Sequence, residues 1–520
     1  MLQHVVGLIP FLPVLGAFIT PLTYIVSRSR RVVFAQGVAF SLITLVLSLI
    51  AVVQAYREGT PSFYIMGGWP PPLGITYTLD MVSALLALTT SLVMTIIMAY
   101  SAEYIVDEGY PWYVTLMLGA FSGMLGVIMT SDVFNLFVML EVTGVSSYGL
   151  VMYYRSKAGS IVSGLKYAFI GAMGTTLYLL ALALIYNTYG SLNLVDLSLK
   201  IHGYPGSSIT LEDAGYSVIS AGIIMVLALW TFSIKSGVFP NHFWLPDAHP
   251  AAPAPVSAML SGLVVNVGAI GLYKVLYMMY GGTLPARVTP VRDLASLLVV
   301  STGMVSAIIG ALLMGIQQDV KRIIAYSTVM NTGYIFMSLG VLNAGGLLAF
   351  LYHTVVHSLA KSTLFLGIGV LVRYAGTRRI NELAGFGRIH PLPGIAIGVS
   401  VLTLAGIPPL PGFLSKLLMY EALFNYNPVF AIAMIVASAI GLLAYMKLFF
   451  TLLFEAPVRK PRDTRYRLAE ASALTASLIL LVVGAACLFN PGFFNTVFIK
   501  PVDQVSDLMT YINHLAKSLI

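Results

Sequence analysis

Apolar residues fall in blocks of about 20 along almost the whole chain, with most charges and many of the prolines and glycines at the block ends. A helix that crosses a bilayer needs roughly that length. Runs of this kind begin near Leu2, Val32, Thr78, Tyr113, Val133, Gly164, Tyr216, Pro255, Ala295, Ile323, Gly345, Pro391, Pro428 and Ala471. These fourteen runs predict an all-α polytopic membrane protein with about 14 transmembrane helices. The stretch from Met1 to Tyr24 has no basic start and is followed by further spans, so it reads as the first helix and not as a signal peptide. The tail from Asn490 to Ile520 is short and mixed in character and reads as a surface segment.

Two of the runs are interrupted. The seventh contains Lys235 and runs into Gly237, Pro240, Pro246, Pro250, Pro253 and Pro255; the twelfth contains Gly406, Pro408, Pro409, Pro411 and Gly412, then Lys416. Two broken helices, each with a lysine beside the break, lie five spans apart, and an odd offset gives the second unit the opposite topology. The spacing agrees, since Lys235 follows Glu141 by 94 positions and Lys416 follows Lys321 by 95. The expected organisation is therefore N-terminal helices 1–3 over 1–110, a first five-helix repeat over 111–281, a second and inverted repeat over 292–455, and helix 14 with the tail over 456–520.

Composition supports the membrane reading and narrows the function. Of 520 residues, 58% are hydrophobic and 9% charged, and the mean hydropathy is +0.89. Soluble domains carry roughly 25% charged residues, so this chain lacks the polar side chains for a water-facing surface of its size. The net charge of +8 is spread over short loops without a basic domain, which argues against nucleic acid as a partner. Cys487 is the single cysteine, which excludes intrachain disulfides, Cys-ligated zinc and iron–sulfur ligation. Loops after odd-numbered spans hold Arg28, Arg30 and Arg31, Arg155 and Lys157, Lys321 and Arg322, Arg373 to Arg388, and Arg459 to Arg467; even-numbered loops hold only Arg57, Lys200, Arg287 and Arg292. The positive-inside rule then puts the odd loops in the cytoplasm and both termini outside a cell membrane.

Against this background, charges inside the apolar runs stand out, because each costs about 2.5 kcal/mol or more at bilayer depth. Glu141 lies in Val133–Val151, Lys235 follows Leu227–Ile234, and Lys416 precedes Leu417–Tyr420. His353, His357 and Lys361 recur every fourth residue and so share one helix face. Each has a bland reading as well. Glu141 and Lys235 fit a buried ion pair that only fixes packing; the histidines fit core residues bonded to carbonyls; Lys274 and Lys447, late in their spans, can snorkel to an interface. His242, Asp247 and His249 imitate a metal site, but a Pro-rich helix break accounts for that segment, and no metal is expected. A carboxylate and a lysine buried together trade protons as their separation changes, and imidazoles, with an unperturbed pKa near ~6.5, pass protons with little barrier. These residue types, in a line beside mobile helix breaks, point to proton transfer. Lys166, Lys321, Asn266 and His242 are secondary candidates.

The segment Ile234-Lys235-Ser236-Gly237-Val238-Phe239-Pro240-Asn241-His242-Phe243-Trp244-Leu245-Pro246-Asp247-Ala248-His249 resembles the signature of the antiporter-like subunits of respiratory complex I. Asp319 to Ser327 and Tyr352 to Lys361 match the same family. Asp132 to Glu141 and Leu404 to Phe413 look most like the D-type subunit of multisubunit cation/proton antiporters, shared in related form with membrane-bound hydrogenases. The resemblance implies a fourteen-helix subunit that moves protons, or exchanges them for sodium, within a hetero-oligomeric membrane complex. It carries the family's fifth-helix glutamate onto Glu141, its seventh-helix lysine onto Lys235, its eleventh-helix stripe onto His353, His357 and Lys361, and its twelfth-helix lysine onto Lys416. The eighth helix departs: where many relatives carry Lys or His, this chain has Asn266 or Ser261, with Lys274 about two turns on. Either Lys274 substitutes, or water alone joins the first half to the central stripe. The expected partners are other membrane subunits, the lipid bilayer, H+ and possibly Na+; no cofactor and no catalytic centre of its own are expected. Competing readings are a quinone-interacting redox subunit, a structural spacer without its own ion path and, as the remotest, a stand-alone transporter.

Overall fold

The structure is a computed structural model that describes residues 3–203, 214–462 and 465–517. The first run's start at Leu2 and the end of the tail at Ile520 lie outside the described residues. The chain is a bundle of long helices: Gln3–Ser27, Arg30–Glu58, Met81–Tyr104, Tyr110–Met129, Val133–Val151, Ala158–Tyr189 and Ala214–Ser236 in the first half. A continuous helical stretch over Ala254–Met279, then Thr289–Ile316, Val320–Gly340, Ala344–Ala375, Pro391–Ala405, Pro411–Tyr426, Pro428–Leu453 and Arg467–Phe489, follow. One antiparallel hairpin pairs Ser62–Ile65 with Thr76–Leu79, with Tyr64 opposite Tyr77. Single bridges Tyr77–Thr130 and Asp132–Asn193 stitch the loops at that end of the bundle, and Asp319–Arg379 does so at the other.

Among the described residues, twelve helices are long and apolar enough to cross a membrane, or up to 13 if the pair Ile380–Ile389 and Pro391–Ala405, bent by 114°, is one span. Fourteen runs were expected, and the difference has a physical cause. Val320–Gly340 is 21 residues long, but it gives positions to Ser327, Thr328, Asn331 and Thr332, all turned into the bundle and buried. Pro391–Ala405 and Pro411–Tyr426 have 15 and 16 residues, each too short to cross alone.

Burial is graded across the bundle. Ala254–Met279 and Ala344–Ala375 are almost wholly enclosed, which explains why their apolar residues show no one-sided pattern. Peripheral helices present Leu42, Val46, Leu49, Phe169 and Leu180 outward, as a lipid-facing surface requires. Where helices meet most closely, small residues make room. A Cβ on Gly333 would sit 2.6 Å from the Gly303 carbonyl oxygen and 2.7 Å from the Ala307 nitrogen, so Thr289–Ile316 and Val320–Gly340 touch backbone to backbone.

Two helix ends share one hydrogen-bond pattern. Gly237 (φ 63) and Gly406 (φ 81) both adopt the left-handed conformation that glycine tolerates without strain. Val238 N donates to Ser233 O at 2.9 Å and Ile407 N to Leu402 O at 3.1 Å, while Gly237 N and Gly406 N donate to Ile234 O and Thr403 O. Each is a Schellman termination. Helix resumes at Asn241–Trp244 and Pro411–Tyr426 respectively.

The tail differs from the expected surface segment. Leu508–Lys517 is a helix with Leu508, Tyr511, Ile512 and Leu515 buried, spaced to make one apolar stripe that docks on the bundle end. Gln504 fastens it, accepting from Met81 N at 3.0 Å and donating to Gly59 O at 3.1 Å.

Replacing Gly333 by Leu should force the two helices apart at a cost of about 1–3 kcal/mol or more. A reduced folded yield in detergent, with Gly159→Ala as a neutral control because nothing lies within 4 Å of its Cβ position, checks this.

Candidate functional site

The enclosed helices carry a line of buried titratable side chains. At one flank, Lys235 Nζ lies 4.0 Å from Glu141 Oε1 and donates to the Tyr148 hydroxyl at 3.3 Å. Lys235 is buried, whereas the Glu141 side chain is 36% exposed at the bundle edge, so this pair is within reach of whatever packs against that edge. Tyr148 stands edge-on to Tyr167, which stacks on Trp244 at 3.9 Å, and the Trp244 indole donates to Ile234 O at 3.0 Å. That stack fixes the Schellman turn beside Lys235.

At the centre, the stripe on Ala344–Ala375 is fully enclosed. Lys361 Nζ donates to Ile324 O at 3.2 Å and makes a short contact with the Ser327 hydroxyl. His357 has neither ring nitrogen paired with a described residue; it lies 5.7 Å, ring to ring, from His353. His353 Nδ1 bonds the Ser415 hydroxyl at 2.8 Å, with Nε2 left over. Buried ring nitrogens without a protein partner are docking points for water. Ser415 leads to the next residue, Lys416, whose Nζ donates to Ala405 O at 2.8 Å and Ser438 Oγ at 2.6 Å. Glu141 and Lys235 thus form one close pair, and His353 bonds Ser415, the residue before Lys416, while the Lys416 ammonium itself turns to Ala405 O and Ser438 Oγ.

The secondary candidates divide. Asn266 donates to Ser358 Oγ at 2.9 Å and so belongs to the stripe, one face away from His357. Ser261 bonds Thr328 at 2.6 Å. Lys274 does not join them; it donates to Thr130 O at 2.6 Å near the opposite end of the bundle from Lys321. Lys166 is 53% exposed and pairs with Asp247 at 2.9 Å, a surface position shared with Arg322 at 2.8 Å. His242 is half-buried near Tyr326 and bonds to none of the stripe. Lys321 donates to Ala252 O at 2.7 Å and His249 O at 3.2 Å, so it shares no partner with Lys416 despite the matching sequence spacing.

Lys321 forms the floor of a cleft of about 500 Å³, bordered by Lys157, Asp247, Asp319, Arg322 and Arg378. Beside Lys321, whose ammonium donates to its carbonyl, is His249, fully buried, stacked on Phe365 at 4.7 Å, both ring nitrogens without a described partner, and within electrostatic reach of Lys321 and Lys361. Sequence reasoning set His249 aside as part of a Pro-rich break. The available signal was its place as the final titratable residue before the enclosed helix. Tyr148 and Ser327 gave no signal, since hydroxyl residues are common in such helices.

The arrangement defines a class, a polytopic membrane protein whose core holds buried titratable groups. A family model described as the transmembrane region of NADH:quinone oxidoreductase/Mrp antiporters matches residues 130–441, more than half of the chain, and the chain belongs to that family. It is similar to NADH-quinone oxidoreductase subunit N of Desulforudis audaxviator, 29% identical over 97% of this chain and 98% of that protein. It is also similar to the D-type subunit of the Na(+)/H(+) antiporter of Alkalihalophilus pseudofirmus, 28% identical over 91% of this chain and 92% of that protein. Among solved structures it resembles a chain of the membrane-bound sulfane sulfur reductase, an archaeal respiratory membrane complex, with a TM-score of 0.87 and 25% identity over 98% of this chain and 100% of that one.

Ser327→Ala removes a hydroxyl acceptor from a buried ammonium, and leaving such a donor under-satisfied costs about 1–3 kcal/mol. The purified protein should unfold at a correspondingly lower denaturant concentration. Thr302→Ser, which alters a hydroxyl bonded only within its own helix, should leave the unfolding midpoint unchanged.

Proposed function

We propose that the chain is the proton-translocating, or proton/sodium-exchanging, membrane subunit of a multisubunit complex of the complex I and cation/proton antiporter kind. The observation that carries it is the stripe of His353, His357 and Lys361, sealed from solvent, with His353 bonded to Ser415, the residue before Lys416, on one side and His249 and Lys321 within electrostatic reach on the other. Protons enter by the basic cleft, pass Lys321 and His249 to Lys361, and move along the histidines to Lys416. Glu141 and Lys235 are the coupling pair at the edge. A change imposed on the exposed carboxylate by a neighbouring subunit alters its 4.0 Å separation from Lys235 and so the proton affinity of both. The positive-inside rule makes the cleft cytoplasmic and both termini external, in the cell membrane.

The matched glycine terminations at Gly237 and Gly406 support an inverted-repeat reading, with units over 111–281 and 292–455 and each lysine set beside a break. Sodium exchange is the second reading; the antiporter relative favours it. A quinone-binding role and a passive spacer role receive no comparable support from the buried stripe.

Lys235→Ala, Glu141→Ala and Lys361→Met should each abolish coupled ion movement while the complex still assembles. Dye-reported acidification in inverted vesicles, with co-purification of the other subunits, measures this. Normal translocation in all three sinks the proposal, and loss of signal when sodium is withdrawn would select exchange over proton pumping.

A further inference from the structure

Between the first repeat and the N-terminal helices lies a second pair of buried charged groups that the relay does not use. Lys274 and Asp80, each 7% exposed, both border a cavity of about 20 Å³, together with Thr78, Ser83, Ser131 and Tyr511. That volume holds one water molecule. Asp80 caps the helix Met81–Tyr104 through one oxygen, Oδ1, which accepts from Ser83 N at 2.7 Å. Its other oxygen, Oδ2, accepts from the Tyr511 hydroxyl at 2.8 Å. Lys274 uses one of its three donors on Thr130 O, just past the end of Tyr110–Met129. It lies in a π-helical segment, Tyr273–Met279, an irregularity that re-aims side chains and recurs at functional sites. A merely structural ion pair gains most by closing to contact. Here a small cavity, mostly apolar in lining but holding these polar groups, borders both charges, and the ion pairs within 4.0 Å among the described residues do not include them.

We infer that Lys274, Asp80 and the water between them form a separate proton-exchange site, an outlet at the bundle end opposite the basic cleft, closed by the helix Leu508–Lys517. The inference rests on the proton-translocating reading above. In the transfer, an N–H bond of the Lys274 ammonium breaks and its proton passes to the water. The water gives up another of its protons to Asp80 Oδ2, where an O–H bond forms. An ion pair becomes a neutral amine and a neutral carboxylic acid with no change in net charge, which relieves the desolvation of both. Asp80 then releases its proton past the Tyr511 hydroxyl to water outside Leu508–Lys517. The amine is reloaded by a proton from the histidine–lysine stripe, carried by water past Asn266, which lies about two turns deeper on the same helical stretch and bonds Ser358.

The test uses the whole complex in inverted vesicles, with assembly verified by co-purification. Asp80→Asn retains a capping oxygen, and Lys274→Met retains the side-chain length, so the double variant D80N/K274M leaves no unpaired buried charge. It should assemble and lose proton movement at least tenfold. Recovery of wild-type rates in the double variant, with both single variants impaired, would show a structural pair only and overturn the outlet. Tyr511→Phe keeps the ring and should slow proton movement several-fold; an unchanged rate removes the hydroxyl from the path and counts against the site. Lys361→Met is measured alongside: if it transports normally the translocation reading itself fails, whereas loss there with normal D80N/K274M overturns only the outlet.

Discussion

Buried ammonium groups are the constraint around which this bundle is built. Desolvating a lysine in an apolar interior is expensive unless acceptors meet it, and carboxylates are scarce in the core. Backbone carbonyls take their place. Lys274 is held by Thr130 O, Lys321 by Ala252 O, Lys361 by Ile324 O and Lys416 by Ala405 O. Three of these carbonyls sit at helix C-termini, where the last carbonyls have no intrahelical donor and the helix dipole is negative. The glycine and proline interruptions therefore do more than bend the chain: they create the acceptors that let lysines stay at bilayer depth.

A carbonyl-held lysine differs from one locked to a carboxylate. At Lys321, Lys361 and Lys416 a carbonyl stabilises the ammonium with no carboxylate within 4.0 Å among the described residues, so deprotonation does not strand a contacting anion in the apolar core. That is the property a relay needs. Lys235 differs, since it faces Glu141 at the bundle edge, and buried Lys200 likewise pairs with Asp196 at 3.0 Å. Under the proposed function the edge pair is the input of mechanical or electrostatic work, and Lys321, Lys361 and Lys416 are the conductor.

Histidine completes the conductor through what it lacks. His357 and His249 are enclosed among apolar and aromatic neighbours with ring nitrogens that no described side chain satisfies. They need water to be satisfied. In the proposed relay, hydration of the line and not the side chains alone would set whether protons pass, and small helix movements near Gly237 and Gly406 would then bear on conduction.

The apolar blocks, the basic loops and the isolated charges at 141, 235, 353, 357, 361 and 416 were legible in the sequence because each follows from a local rule: span length, charge asymmetry and the cost of a buried charge. The same rules determined the helical class and the places where helices end, since Gly237 and Gly406 have the left-handed backbone that glycine alone adopts freely. Local rules do not say which acceptor meets which donor. By spacing, Lys321 and Lys416 look like a pair matching Glu141 and Lys235, yet one lies beneath a cleft and the other beside Ser438. Lys274 looked like a stand-in for Asn266, but the π-helical turn carries it to Thr130 and towards Asp80. His249 was hidden among prolines until Ala344–Ala375 packed over it. The tail looked like a surface segment of mixed residues until Tyr511 met Asp80, 431 positions away in the chain. The sequence by itself determined that charges are buried; only the tertiary structure decided their partners, because those partners are carbonyls and hydroxyls of distant helices that every sequence contains.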